Sequence, residues 1–206
     1  MTEQRSEEWF AERRGKVTAS RVADVVARTK SGYAASRENY MAELIVEHLT
    51  GQSAPGFSNA AMEWGTTQEP CARAAYSART GLLVEEVGFV SHPTISGSGA
   101  SPDGVVLDGL VEIKCPNTST HLDTLLSDHS VDSISERHLT QMHWQMACTS
   151  AAWCDYVSFD PRLSEHLQLV VIRVPRNDGR IRQLEDEVTR FLAEMHNKLE
   201  KLEKLQ

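Results

Sequence analysis

Ser101-Pro102-Asp103-Gly104 and, beyond the eight residues from Gly104 to Val111, Glu112-Ile113-Lys114 are the most informative segment of this chain. Gly104 to Leu107 and Leu110 to Cys115 are short runs rich in Val and Ile, and Asp108-Gly109 between them is a strong hairpin signal. The hairpin places Asp103 at the start of one strand and Glu112 on its partner. Side chains alternate along a strand, so Glu112 and Lys114 share a face. Ile113 points the other way into the core, leaving its backbone carbonyl near the acids. Two carboxylates and a carbonyl make a hard oxygen set suited to Mg²⁺ or Mn²⁺. Lys114 can hold a water against such a metal, and a metal lowers the pKa of its water while a nearby cation disfavours lysine protonation. Together these groups suit metal-assisted phosphodiester hydrolysis. Asp-Gly and Glu-x-Lys also occur in ordinary exposed hairpins, as turn residues and cross-strand charge pairs. The triplet alone does not decide between the two.

Outward from the hairpin, the chain divides into a helical first part and a strand-rich second part. Helices are expected at about Ser6 to Arg14, behind a Ser N-cap with acids in the first turn, and at Ala19 to Arg28. Arg28 to Gly32 reads as a basic loop. Ser36 to Leu49 has helical periodicity stopped by Thr50-Gly51, and Thr50 to Gly56 reads as a loop. Asn59 to Ala78 reads as a further helix, bent at Pro70 and ended by Gly81. Leu82 to Val90, Trp153 to Phe159 and Leu167 to Val174 read as strands alongside the hairpin, with a helix at Glu136 to Thr149. A long terminal helix spans about Gly179 to Leu205, its apolar residues Ile181, Leu184, Val188, Phe191, Met195, Leu199 and Leu202 recurring every three or four positions. Packing on the sheet is favoured over a coiled-coil arm, because the heptad run is short. The fold class is α/β (α+β), with a central mixed β-sheet flanked by helices in a single domain over residues 1–206.

Composition sets the bounds on partners. At 40% hydrophobic and 24% charged residues, the chain is neither disordered nor collagen-like, and no apolar run approaches a membrane span. Met1 to Glu8 is polar and acidic, so no secretory signal is expected, and Cys71, Cys115, Cys148 and Cys154 read as reduced cytoplasmic thiols. The net charge of −8, taken as an average, argues against a nucleic-acid partner. The average hides an asymmetry. From Arg13 to Arg37, seven basic residues stand against Asp24 alone, giving +6 and leaving −14 for the rest. Such a stretch on an acidic body can bind a polyanion, or be a solvated helical face plus a loop.

Several ordered blocks raise the specificity of the hairpin signal. They are Trp9 with Arg13 to Ser20, Trp64 to Glu69, Ser101 to Gly104, Val111 to Pro116, Gln141 to Met146 and Tyr156 to Arg162. With these blocks, from Trp9 to about Val174, the chain resembles the lambda exonuclease family of phage-type recombination nucleases. The resemblance implies a restriction-endonuclease-like core with N-terminal helices and a long C-terminal helix. It also implies a Mg²⁺-dependent 5′→3′ exonuclease acting on the ends of linear double-stranded DNA. Such an enzyme releases 5′-mononucleotides and leaves 3′ single-strand overhangs for a single-strand annealing protein. A homotrimeric ring and a pair of Mg²⁺ ions, with Mn²⁺ as a substitute, belong to the same implication.

Residue by residue, the resemblance makes Asp103, Glu112 and the Ile113 carbonyl metal ligands. Lys114 positions the attacking water, Glu69 is a helix-borne acid completing a second metal site, and Gln141 stands near the metals and the scissile phosphate. His143 and Gln145 on the same helix read at least as well as structural residues. Arg13, Thr18 and Ser20 match a pocket for a 5′-terminal phosphate. A guanidinium offers phosphate bidentate bonds, and hydroxyls before a helix favour an anion, although Thr18 or Ser20 could simply cap that helix. Lys30 aligns with a basic DNA contact, and Met62 with an apolar wedge at the duplex end, a side chain that would equally suit a helix core. Where the family has an arginine after Cys115-Pro116, Thr120 stands here, followed by His121. That departure bears on the strength of the 5′-phosphate preference and leaves the metal chemistry untouched. His48, His92, His129 and His166 lack metal-ligand spacing, which speaks against zinc. The rival readings are a nuclease of the same core with another polarity or structure preference, a DNA-binding module with a decayed site, and a metabolic α/β enzyme. The last would need a Gly-rich nucleotide loop opening a helix, and Ser96-Gly97-Ser98-Gly99 has no helix after it.

Overall fold

The computed structural model describes residues 2–53 and 60–205. In chain order the elements are α1 (Glu7–Arg13), β1 (Val17–Thr18), α2 (Ala19–Val26), β2 (Arg28–Thr29), β3 (Gly32–Tyr33), α3 (Ala35–Thr50), α4 (Ala60–Thr80), β4 (Val90–Ser91), β5 (Ser98–Ala100), β6 (Gly104–Val106), β7 (Gly109–Lys114), α5 (Thr118–Leu125), α6 (Glu136–Thr149), β8 (Trp153–Phe159), β9 (Leu169–Pro175) and α7 (Asp178–Glu203). The expected helix start at Asn59 and residues 54–56 of the expected loop lie outside the described residues.

Local chemistry accounts for most of the helix boundaries. Ser6 caps α1 by accepting from the Trp9 N–H, with Glu7 and Glu8 in the first turn. Ser135 caps α6 and Asn177 caps α7 in the same way. Gly51 closes α3 in the left-handed region at φ 65°, where it carries no Cβ penalty. Pro70 lies inside α4, which continues through it to Thr80.

β6-β7-β8-β9 form a mixed sheet, with β7 and β8 parallel and both outer pairs antiparallel. Parallel neighbours need a long crossover, and α5 and α6 supply it. One sheet face packs Leu110, Tyr156 and Ile172 against Leu139, Met142 and Met146 of α6. The other packs Val111, Ile113 and Val157 against Ala72 and Tyr76 of α4. A three-stranded sheet, β1-β5-β4, adjoins a helical core of α2, α3 and α7.

Five expectations are corrected. Leu82 to Val90 is not a strand: Glu85 makes one bridge to Val105, and only Val90–Ser91 joins a sheet. α2 ends at Val26, and the expected basic loop is a small hairpin, β2 with β3, carrying Lys30 in its turn. β1 and β5 pair in parallel, and neither was expected as a strand, since two- and three-residue strands leave no periodic pattern. α5 was likewise not expected. Finally, α7 does not lie on the main sheet as its principal support. It buries Leu184, Val188, Phe191 and Met195 with α2 and α3 residues, and only Ile181 joins the sheet-side cluster. That burial removes its apolar stripe from use as a free coiled-coil arm, with Leu202 left exposed.

Candidate active site

The register Gly104↔Val111 sets Asp103, one residue earlier, alongside Glu112. Asp103 Oδ2 accepts from the Ile113 N–H at 2.7 Å, which ties the carboxylate to β7. Glu112 points to α6, where Gln141 Nε2 donates to its Oε1 at 2.7 Å and Gln145 Nε2 to its Oε2 at 2.6 Å. Lys114, on the same strand face, reaches Glu112 Oε1 at 2.5 Å. The expected alternation is therefore observed, with Ile113 buried on the opposite face against α4 residues. His143, between the two glutamines, instead bonds the Leu139 carbonyl one turn back.

The charges in this cluster are unbalanced. Asp103 keeps some exposed surface, yet desolvation first, then the Glu112 and Glu69 charges, push its pKa well above the usual carboxylate range against Lys114 and the Ile113 N–H. Burial opposes the charge on Lys114, but Glu112 and Asp103 outweigh it and raise its pKa. Lys114 is thus held as an ammonium by its acids. The Asp103 and Glu112 carboxylates are hard-oxygen donors, joined in the sequence expectation by the Ile113 carbonyl, and the repulsion between the two acids is what a divalent cation relieves. The residues fit Mg²⁺ or Mn²⁺.

Glu69 is buried on α4 and held by two guanidiniums, Arg73 at 2.8 Å on Oε1 and Arg5 on Oε2. Arg73 also donates to the Asp103 carbonyl at 3.3 Å, so Glu69 is linked to the acid pair through a cation rather than by direct convergence. Among the described residues, no three His, Cys, Asp or Glu side chains form a ready-made metal cage.

Next to the acids lie residues that the sequence assigned to a phosphate pocket. Arg13 Nη1 and Trp9 Nε1 both donate to Ser101 Oγ at 3.0 Å, and the Arg13 guanidinium lies 4.1 Å from the Trp9 ring centre. Burial lowers the Arg13 pKa, partly offset by Tyr40 and Glu47. The β1-β5 register puts Thr18 beside Gly99, two residues before Ser101, and the Thr18 N–H donates to the Tyr40 hydroxyl. Thr18 occupies the N-cap position of α2 with no side-chain cap bond among the described residues, so capping does not account for its hydroxyl. Ser20 sits in the first turn of α2, its carbonyl accepting from Arg137. His121 cannot take the place of the missing arginine: it is fully buried, bonded to Ser158 Oγ and the Leu167 carbonyl. Thr120 is exposed at the start of α5. Lys30 is exposed on its hairpin, and Met62 is 53% exposed near the start of α4, which excludes the helix-core role.

Sequence reasoning missed Ser101, Arg5 and Arg73, and left Gln145 undecided. Ser101 adjoins Pro102-Asp103, while Gln145 and Arg73 each lie four residues from a named site residue, the spacing that shares a helix face. Arg5 had no comparable signal.

The YqaJ-like viral recombinase domain family matches residues 8–152. The chain belongs to this family, the phage-type recombination exonucleases that its ordered blocks resemble. Among solved structures, it is similar to the alkaline exonuclease LHK-Exo from Laribacter hongkongensis, at 53% identity and TM-score 0.88 over 97% of both chains in a complex with dAMP. A second structure of that enzyme gives 52% identity, the same TM-score and the same coverage. A phage-related exonuclease from Haemophilus somnus 129PT shares the fold, at 13% identity and TM-score 0.73 over 91% of this chain and 96% of that one. No curated protein sequence matches significantly. Among the described residues, no helix is long and apolar enough to cross a membrane.

Proposed function

We propose that this chain is a Mg²⁺-dependent deoxyribonuclease that degrades linear double-stranded DNA from its 5′ ends. It releases 5′-mononucleotides and leaves 3′ single-strand overhangs for a single-strand annealing protein. The observation that carries the reading is the convergence of Asp103, Glu112, Lys114 and Gln141 beside the Arg13–Ser101 pair. The dAMP held by LHK-Exo is a deoxynucleoside monophosphate, the class of product proposed here.

Asp103, Glu112 and the Ile113 carbonyl would hold Mg²⁺, with Glu69 serving a second ion once a guanidinium yields its carboxylate. A cation bound there would supply Lewis-acid chemistry, polarising the scissile phosphate and lowering the pKa of the attacking water. The Lys114 ammonium, beside Glu112, would orient the water and shield the phosphate charge. Arg13 with Ser101, Thr18 and Ser20 would grip the 5′-terminal phosphate, Lys30 the nearby backbone, and Met62 would wedge the end of the duplex. A homotrimeric ring in the cytoplasm, threading DNA, completes the proposal.

Asp103→Asn and Lys114→Ala test the centre. Asn keeps the shape of Asp while removing one repelling charge, so folding is retained. Each variant is expected to lose at least about a hundredfold in cleavage of linear duplex, in line with removing one group that stabilises developing charge, while retaining DNA binding in a gel-shift assay. Near-normal cleavage by either variant would place the active centre elsewhere.

A further inference from the structure

Glu112 has no exposed surface, and its two carboxylate oxygens are held in different ways. Oε1 meets Gln141 and Lys114, both partly open to solvent. Oε2 meets Gln145, which is 0% exposed. A carboxylate only accepts, so Gln145 must offer its NH₂ and turn its own oxygen away. That oxygen, Oε1 of Gln145, is buried with no hydrogen-bond partner among the described residues. An unsatisfied buried acceptor is destabilising, because it gives up its bond to water and gains none in return. Leu or Met would fill the same space in α6 without that loss. Retaining an amide there has a local rationale only in its bond to Glu112.

We propose that Gln145 is a positioning residue: it pins Glu112 through Oε2 so that Oε1 is the oxygen presented to the cation. Gln141 and Lys114, the partly exposed partners of Oε1, are the donors that exchange when the cation arrives. The inference rests on Glu112 being a metal ligand. Partners of this kind hold a ligand's orientation, and losing one costs about 10–100-fold in metal affinity.

The test is calorimetric titration of the full chain with Mn²⁺, comparing wild type, Gln145→Met, Gln145→Asn and Glu112→Gln, each first checked for cooperative thermal unfolding. Gln145→Met keeps the volume and loses the donor, while Gln145→Asn keeps the amide but falls one methylene short of Oε2. Both are expected to weaken Mn²⁺ binding about 10–100-fold. The Mn²⁺ concentration giving half-maximal cleavage should rise in step, with the rate at saturating metal retained. If a folded Gln145 variant binds Mn²⁺ as wild type does while Glu112→Gln loses binding, Gln145 is merely structural and the inference is wrong. If Glu112→Gln binds Mn²⁺ normally, the metal reading of Glu112 fails instead.

Discussion

Asp103 carries an electrostatic burden that the rest of the chain only partly relieves. Burial and two neighbouring carboxylates disfavour its charge, and Lys114 with the Ile113 N–H offsets only part of this. Such residual frustration marks functional sites more often than structural ion pairs, because a bound cation can resolve it. Arg13 presents the complementary case, a guanidinium partly stripped of water and aimed at Ser101 rather than at an acid. Arg13→Ala should reduce the preference for 5′-phosphorylated over 5′-hydroxyl duplex ends by about tenfold or more, the worth of a lost charge-assisted bond of ~1.5–3 kcal/mol. Competition between the two substrates checks this, and equal losses on both would remove Arg13 from the phosphate pocket. At this scale, Asp103, Glu112 and Lys114 were legible in the sequence because a hairpin is local and alternation assigns faces without further information. Gln141 and Glu69 were legible only through the ordered family blocks. Arg5 was not legible, since its ion pair with Glu69 spans 64 residues and depends on how the chain's first turn lies against α4.

At the scale of elements, the hairpin shows how a correct pairing can hide a misplaced turn. Asp108-Gly109 suggested the corner, yet Val106 pairs with Gly109, so the two-residue turn is Leu107-Asp108. Leu107 takes the positive φ, 51°, that a glycine would adopt more easily. The glycine serves packing instead. A Cβ at Gly109 would fall 2.2 Å from the Trp153 indole, which Arg173 covers at 3.5 Å and Asp108 holds through Nε1. Gly109→Ala should therefore cost about 1–3 kcal/mol as overpacking. That corresponds to a fall in Tm of about 2–12 °C for a chain of this size, measured by calorimetry; an unchanged Tm would show that the indole moves aside freely. No local signal separates a turn glycine from a packing glycine, because the difference lies on β8, more than forty residues away. Long elements were legible for the opposite reason. α6 and β8 have the boundaries expected from their caps and patterns, whereas β1, β4 and β5 draw their order from neighbours.

For the whole molecule, the charge balance is redistributed by folding. The basic stretch from Arg13 to Arg37 is not one continuous track. Arg21 pairs with Asp24 and Glu43, Arg28 with Glu187, and buried Arg37 with Glu194, so three of its seven cations tie α2, β2 and α3 to each other or to α7. Arg13 faces Ser101 beside the acids, and Lys30 stands exposed at a separate hairpin tip, so the positive charge is confined to small patches on a body of net charge −8. This distribution suits an enzyme that holds an end and does not cling along the duplex. End-directed, metal-dependent hydrolysis from the 5′ terminus is tested most directly by digesting linear duplex DNA labelled at either the 5′ or the 3′ end, in Mg²⁺ or in EDTA, beside a closed circle of the same sequence. Early release of 5′ label as mononucleotide is expected in Mg²⁺ only, with 3′ label retained on long single strands and the circle intact. Early loss of 3′ label, cutting of the circle, or equal digestion in EDTA would contradict it.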